Sequence, residues 1–442
     1  MTDRPSLPSI TAAESAGFLA NVGLPTLAKG VIIRRPSMVG LASRMGLDAR
    51  AVRFMQSLRD RHGSGPVLIR NPVRTQAVLL SAQHVRRVLE GSPDPFSPAS
   101  SEKRAALSHF EPHSSLVTEG PERQERRRFN DTVLASKCPI HPMAPAFTAI
   151  VEEEVAALLR VADPLGELSW DIFFESWMRI VRRVFLGDGA AGDTELTAMI
   201  NRLRGRANWA FAVPENASLR EAFHRRLQSH LDRGDAGSLA SLAGGASAGE
   251  NGSYPSHQVA QWLFAADPAG MSIFRTLALL AVHHDKLDLA RAEIEAVPDA
   301  GERSYLRAAV VETLRLYPTT PMILRQSTRV TEWEEGILPA GAGILIYTPF
   351  FHRDPARLPE AHRFCPEMWL ERDPGDMAPL VPFSAGPGVC PARHLVPLLG
   401  SAVMAALLRK RQIRLLRSQD IDPHKPLPGT LDNYSMVFGI TP

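Results

Sequence analysis

The stretch PFSAGPGVCPAR, residues 382–393, puts one of the chain's three cysteines at the end of a Gly/Pro-rich loop. Gly386 and Gly388 let the backbone there approach a flat ligand closely. The apolar-periodic segment 395–408 begins just past Cys390, so the sulfur is expected near a helix N-terminus. Free N–H groups and the helix dipole at such a position favour thiolate over thiol. A thiolate held by backbone donors beneath a planar macrocycle is what an axial haem ligand needs. The plainer reading is a structural cysteine packed in a tight turn, since free cysteine is commonly buried.

A second pairing has structural rather than catalytic chemistry. Glu-x-x-Arg occurs at Glu125–Arg128, Glu312–Arg315 and Glu360–Arg363. An i,i+3 ion pair is commonly a solvated helix surface. Only Glu312–Arg315 lies in an apolar helix, AAVVETLRLYP, so only that pair is expected to be buried and structural. No C-x-x-C and no H-E-x-x-H occurs, which removes the common zinc signatures.

These residues need a scaffold, and 442 residues with 44% apolar and 22% charged content can supply a large core. Ala49–Arg61 and Ala82–Leu89 read as helices, while 66–70 and 75–80 read as strands joined by the turn-like Asn71-Pro72. Residues 1–45 are mixed, and 91–118 read mostly as loop. From about Glu122 to Leu316 the chain is mainly helical, with segments at 148–159, 170–185, 195–208, 219–231, 258–282 and 286–296. Gly234–Ser253 is small and polar and is expected to be a flexible surface loop. Ile337–Ile346 has the shape of a β-hairpin, 353–387 a Pro-rich coil, and Ala392–Arg411 a last helix before a β-rich tail. The expected class is α+β, mainly helical, one domain over 1–442, with a small β region drawn from both ends of the chain.

A net charge of +3 is small for this length and does not suggest a nucleic-acid binder, though a local basic face could still dock an acidic protein. No run of 18 apolar residues occurs, so no membrane span is expected. The N-terminus lacks a basic start followed by an apolar block, and the cysteines form no paired framework. A cytoplasmic location is the expectation.

Phe383, Gly386 and Cys390 resemble the F-x-x-G-x-x-x-C signature of the cytochrome P450 superfamily, the haem-thiolate oxygenases. Glu312–Arg315 resembles the family's E-x-x-R helix, and His352-Arg353-Asp354-Pro355 and Phe364–Trp369 resemble the segments that follow it. The similarity runs from about residue 45 to the end. It implies that Cys390 ligates the iron of haem b and that Arg123, Arg127 and Arg325 bind its propionates, with Phe383 and Gly386 shaping the loop. Met368 stands where the family has an Arg that completes a triad with the E-x-x-R pair; either Arg363 substitutes or the triad is incomplete. Gly388 stands where a propionate-binding Arg or His is usual, and Ala392 replaces a Gly.

By the same resemblance, 258–282 is the helix that crosses the haem. Its centre, FAADPAGMS, puts Ala265 on the family's Gly, Asp267 on its acid and Pro268 on its Thr. Proline has no hydroxyl and no N–H, so it cannot share in proton delivery as that Thr does; it is also read as a residue that fixes a kink. The resemblance implies a monooxygenase taking electrons from a ferredoxin and its reductase. Pro268 raises the alternative of an enzyme that uses peroxide, or that couples, desaturates or rearranges. A non-catalytic haem protein ranks third. The implied pocket draws on the 91–118 loop, Trp209–Val213, Phe264, Ala265, Met322, Ile323, Leu324, Tyr434 and Met436. These are largely apolar, pointing to a lipophilic small molecule.

Overall fold

The computed structural model describes residues 4–441 apart from 71–73, 247–251, 299–301, 371–378, 410 and 419–420. Three N-terminal helices, α1 (Ala12–Phe18), α2 (Leu24–Lys29) and α3 (Pro36–Arg44), lead into α4 (Leu47–His62). α4 buries Ala51, Val52, Met55 and Leu58 along one face and stops at Gly63, whose φ of 75° suits glycine. β1 (Val67–Ile69), β2 (Gln76–Val78) and α5 (Ala82–Glu90) follow, with the Ser81 hydroxyl capping α5 by accepting the His84 N–H. The middle of the chain supplies β3 (Phe96–Ser97), α6 (Ser101–Leu107), α7 (Gly120–Val133), α8 (Ala144–Leu165), β4 (Glu167–Ser169), α9 (Trp170–Leu186), α10 (Thr194–Ala207), α11 (Ala217–Arg233) and α12 (Ala240–Ala246). α13 (Pro255–Val282), α14 (His284–Ala296) and α15 (Ser304–Leu316) complete the helical part. The last part adds β5 (Met322–Ser327), β6 (Thr331–Trp333), β7 (Gly336–Leu338), β8 (Gly343–Tyr347), α16 (Thr348–His352), α17 (Leu395–Leu408), β9 (Gln412–Arg417) and β10 (Val437–Thr441).

Two cores result. The larger joins α8, α9, α13, α15 and α17, with Phe147, Trp177 and Phe274 fully buried between them. The smaller backs the five-stranded sheet β1-β2-β8-β5-β3, in which β2 and β8 run parallel and the other pairs antiparallel. β10 is the centre of a second sheet, β4-β10-β9. α13 is 28 residues long and apolar enough to cross a membrane, yet 83% of its most apolar window lies inside the fold: it is the central core helix.

The expected α+β class holds, with the five-stranded sheet built from residues before 100 and after 320, while the second sheet also takes β4 from the middle of the chain. Several local expectations are corrected. Residues 1–45 are largely helical rather than mixed. The 91–118 stretch contains β3 and α6, the latter capped by Ser100. Ile337–Ile346 is not a hairpin: β7 pairs with β6, whereas β8 pairs with β5 and β2. Both flanks of the Pro339–Ala342 turn had better apolar partners than each other. Within Gly234–Ser253, Leu239, Ala240 and Ala243 pack α12 into the main core, because even a small-residue segment buries alanine and leucine where a helix surface is open. The rest of that loop, 247–251, and the turn at Asn71-Pro72 lie outside the described residues.

Candidate functional site

The cysteine loop is built by its own backbone. The Cys390 N–H donates to the Phe383 carbonyl at 2.8 Å, and the Val389 N–H to Gly386 at 3.0 Å. Gly386 has φ +62°, and a Cβ there would lie 2.3 Å from the Leu89 carbonyl oxygen, so glycine is required. Phe383 is buried and packs with Ala308, Val311, Leu314 and Trp369, against which the partly open Cys390 rests. Burial pushes the Cys390 thiol upward, and the Ala392 N–H draws it back only in part. α17 starts at Leu395, as the apolar spacing predicted, five residues beyond Cys390.

Beside this loop lies a set of cations with no anion. Arg325, on β5, is buried; its Nε donates to Ser92 Oγ at 3.0 Å, Nη1 to the Leu324 carbonyl at 3.0 Å and Nη2 to Ser384 Oγ at 3.4 Å. Lys103, on α6, donates to the carbonyls of Pro98 and Leu324 at 3.0 and 3.3 Å. Arg123, on α7, is buried with its Nε unpartnered. Burial, then Arg123, pushes Arg325 down to about 10; burial, Arg325 and Arg123 push Lys103 well below the usual lysine range. Among the described residues no carboxylate pairs with Arg123, Lys103 or Arg325. A buried charge this poorly compensated is costly unless a ligand completes it. Gly388 belongs to this design: a Cβ at 388 would lie 2.8 Å from Arg325 Nη2, so the residue standing in place of a basic side chain clears the path for Arg325.

Arg127 is tied to the cysteine loop and to its own helix. Its Nε donates to both Asp131 oxygens at 3.0 and 2.9 Å, and its Nη1 to the Val389 carbonyl at 2.7 Å. It fastens α7 to the residue before Cys390, and its charge is already paired.

Glu312 and Arg315 are fully buried and bidentate, with Nε–Oε2 at 2.7 Å and Nη2–Oε1 at 2.6 Å. Arg315 also donates to the carbonyls of His352, Ala361, Glu360 and Arg363 at 2.7, 3.1, 3.2 and 2.9 Å. Glu312 also accepts the Cys365 N–H at 2.9 Å and the Trp369 indole N–H at 2.8 Å. Among the described residues no second guanidinium joins the pair. Arg363 contributes its carbonyl while its side chain is exposed, and Trp369, next to Met368, supplies the closing donor. Arg128 and Arg363 are both exposed, so the other two Glu-x-x-Arg matches are not buried pairs.

α13 is buried over most of its length, but at its centre Ala265 is exposed and Gln261, Phe264 and Pro268 are half-buried. The centre of a core helix thus presents one open face, running along positions i, i+3, i+4 and i+7. Pro268 sits inside an unbroken helix; lacking an N–H, it leaves the Phe264 carbonyl without its i+4 donor. Asp267 is buried and accepts from Arg204 Nη2 at 2.7 Å, and the Arg204 guanidinium lies 5.3 Å from the centre of the Phe264 ring.

Of the expected pocket residues, Phe264, Met322, Leu324 and Tyr434 keep open surface, with Phe264 5.5 Å from the Phe110 ring. Ile323 and Met436 are buried in the two cores, and Trp209 and Phe211 are 57% and 82% exposed at the surface. Lys103 and Arg204 were not legible. Lys103 lies in a stretch read as loop, and the Arg204–Asp267 pair joins residues 63 apart with no local pattern to signal it.

A half-buried cysteine, an open helix face and a group of cations without carboxylate partners fit a flat dianionic macrocycle, with Cys390 as its ligand and Arg123, Arg325 and Lys103 toward its carboxylates. Comparison with known proteins gives the same direction. The cytochrome P450 family model matches residues 267–433. Cytochrome P450 4g15 of Drosophila melanogaster is 30% identical over 33% of this chain and 27% of its own. Cyclooctat-9-en-7-ol 5-monooxygenase of Streptomyces melanosporofaciens is 30% identical over 34% of this chain and 33% of its own. The chain thus matches about a third of the length of these curated relatives. A zebrafish cytochrome P450 solved with abiraterone superposes with a TM-score of 0.67 at 16% identity, covering 88% of this chain and 98% of that one.

Proposed function

We propose that this chain, which belongs to the cytochrome P450 superfamily, is a haem-thiolate monooxygenase that binds haem b through Cys390 and oxidises a lipophilic small molecule with electrons from a ferredoxin and its reductase. The observation that carries the reading is the set formed by buried Arg123 and Arg325 with half-buried Lys103, which no carboxylate among the described residues pairs, beside the Cys390 loop. The haem, once bound, supplies the redox centre at which oxygen is activated. The chain's own residues do the rest. Arg127 holds the loop, Glu312 and Arg315 brace the segments behind it, and α13 offers its open face to oxygen and substrate.

The test is the reduced, CO-bound spectrum. Wild type is expected to show the red-shifted Soret band of thiolate ligation, Cys390→Ala to lose it, and Cys138→Ala and Cys365→Ala to keep it. Retention of the band in Cys390→Ala overturns the reading.

One observation favours a second chemistry on the same scaffold. Pro268 offers no hydroxyl on the open face, and Asp267 is held by Arg204, which supports peroxide use or a non-hydroxylating reaction. Turnover with hydrogen peroxide alone, against NADH consumption with ferredoxin and reductase, separates the two.

A further inference from the structure

A small cavity lies between the α2–α3 region, the second half of α13, the segment after α15 and residues 429–431. Its volume is about 60 Å³, room for a few waters or one small anionic group. The lining is strongly asymmetric in charge. Lys29, Arg34 and Arg275 face it, and Asp48 is the single carboxylate among the lining residues. Asp48 is already engaged, by Lys29 Nζ and by the Thr430 hydroxyl. Arg34 donates to the carbonyls of Gly30 and Thr319, and Arg275 donates through Nε to the Leu431 carbonyl at 2.8 Å. No hydrogen bond from Arg275 Nη1 or Nη2 is made among the described residues, although the side chain is more than nine-tenths buried. The Tyr317 hydroxyl, also buried, has no partner. Burial pushes Arg275 down to about 10 and lowers Arg34 and Lys29 as well. The other acids that act on these groups are committed elsewhere: Asp267 to Arg204, and Asp432 to the Tyr434 N–H. Water in the cavity satisfies donors but not an excess of positive charge.

Unpaired guanidinium N–H groups, a phenol donor and net positive charge in a confined space select a planar anion, for which Arg is suited by its fork of donors. The cavity shares α13 with the site. Met271, in its lining, is 4.0 Å from the Tyr434 hydroxyl and stands one turn beyond Asp267 and Pro268 on α13. Arg275 follows Ala265 by ten residues, roughly 15 Å along the helix axis.

We propose that this cavity binds the carboxylate of the substrate, so that the lipophilic substrate is an acid whose tail runs from Arg275, Arg34 and Tyr317 toward the open face of α13. This rests on the function proposed above and narrows it. The substrate is then positioned by its head, and oxidation falls at a fixed distance along the tail.

The experiment is calorimetric binding to the haem-loaded protein of dodecanoic acid, methyl dodecanoate, dodecan-1-ol and sodium acetate. Wild type is expected to bind the acid about tenfold or more tighter than the ester or alcohol, the scale of one charge-assisted hydrogen bond. Arg275→Gln is expected to abolish that preference while leaving ester affinity unchanged, and Arg275→Lys to keep part of it. Tyr317→Phe, which removes one oxygen and is safe for folding, is expected to reduce the preference several-fold. The idea is overturned if acid and ester bind equally, if the variants keep the wild-type preference, or if no member of the series binds. Acetate binding as tightly as dodecanoic acid also overturns it, because the cavity is then an isolated anion site. Loss of the thiolate CO band in wild type defeats the haem reading instead, so the two failures are told apart.

Discussion

Replacing Glu312 by Ala tests whether the buried Glu312–Arg315 pair is a brace for the cysteine side of the molecule. Four groups depend on the Glu312 carboxylate: Arg315 Nε and Nη2, the Cys365 N–H and the Trp369 indole N–H. Removing one partner of a buried ion pair costs about 3–5 kcal/mol, because the other charge stays buried and uncompensated. Each neutral donor stranded without an acceptor costs about 1–3 kcal/mol. These terms share one cavity and are not additive, so a loss of about 5 kcal/mol is the working figure. Against a total stability of about 5–15 kcal/mol this leaves the fold marginal. Arg315 still reaches four carbonyls, but they too lose their geometry once its anchor is gone. The assay is urea unfolding followed by circular dichroism, together with the CO-bound spectrum as a measure of haem held. Glu360→Ala is the matched control, because that residue's Glu-x-x-Arg partner, Arg363, is exposed; its cost is expected within about 0.5 kcal/mol. A Glu312→Ala protein that is haem-replete and within about 1.5 kcal/mol of wild type refutes the argument, because even one charged hydrogen bond is worth that much.

Gly388→Ala places a Cβ against Arg325 Nη2 and is expected to weaken haem retention roughly tenfold, the worth of one charge-assisted contact of about 1.5 kcal/mol, measured by transfer of haem to apomyoglobin; unchanged retention means Arg325 is not a carboxylate ligand. Pro268→Thr restores a backbone donor to the Phe264 carbonyl and supplies a hydroxyl; with a surrogate ferredoxin it is expected to give more product per NADH and less hydrogen peroxide, and unchanged coupling with unchanged substrate binding shows Pro268 to be a shape residue. His352 is buried and neutral, with Nε2 accepting the Val381 N–H at 2.9 Å and Nδ1 donating to the Arg315 carbonyl at 3.1 Å; burial, then Arg315, holds it at about 3. Its folded-state value lies below the unfolded one, so its contribution is complete above pH ~6.5 and is lost as pH falls toward about 3, at up to ~1.4 kcal/mol per unit. His352→Gln is expected to flatten the acid limb of stability against pH, and an unaltered limb removes His352 from the cause.

Much of this was legible in sequence, and the part that was not has a common cause. Helices such as α4, α9 and α13 declared themselves because one-dimensional spacing maps onto a helix face. Cys390 and Glu312–Arg315 were legible because loop chemistry and i,i+3 spacing are local. Strand partners are not local. Nothing between 331 and 347 says that β7 turns back to β6 while β8 crosses to β5 and β2, since the choice depends on which apolar faces are free after the helices pack. The same holds for charge. Arg127 and Arg123 lie one turn apart on α7, yet one is paired with Asp131 and the other is unpartnered, and only tertiary packing decides which.

That contrast is also the strongest guide to where ligands belong. The molecule buries charge in two ways. Glu312–Arg315 and Asp267–Arg204 are closed, opposite charges meeting within 2.6–2.7 Å, and they stabilise only what they touch. Arg123, Lys103 and Arg325 on one side, and Lys29, Arg34 and Arg275 on the other, are left with more cations than acids to meet them. Each buried ion costs several kcal/mol when uncompensated, and a fold stable by about 5–15 kcal/mol does not accumulate such costs without return. The return is affinity: a site that has already desolvated its cations gives its anion a charge to meet and little reorganisation to do. Both sets lie against the segment from Pro321 through β5, the first through Arg325 and the second through Pro321 itself. One short strand therefore connects the group that would hold the cofactor to the group that would hold the substrate's head, and fixes their spacing more rigidly than either could alone.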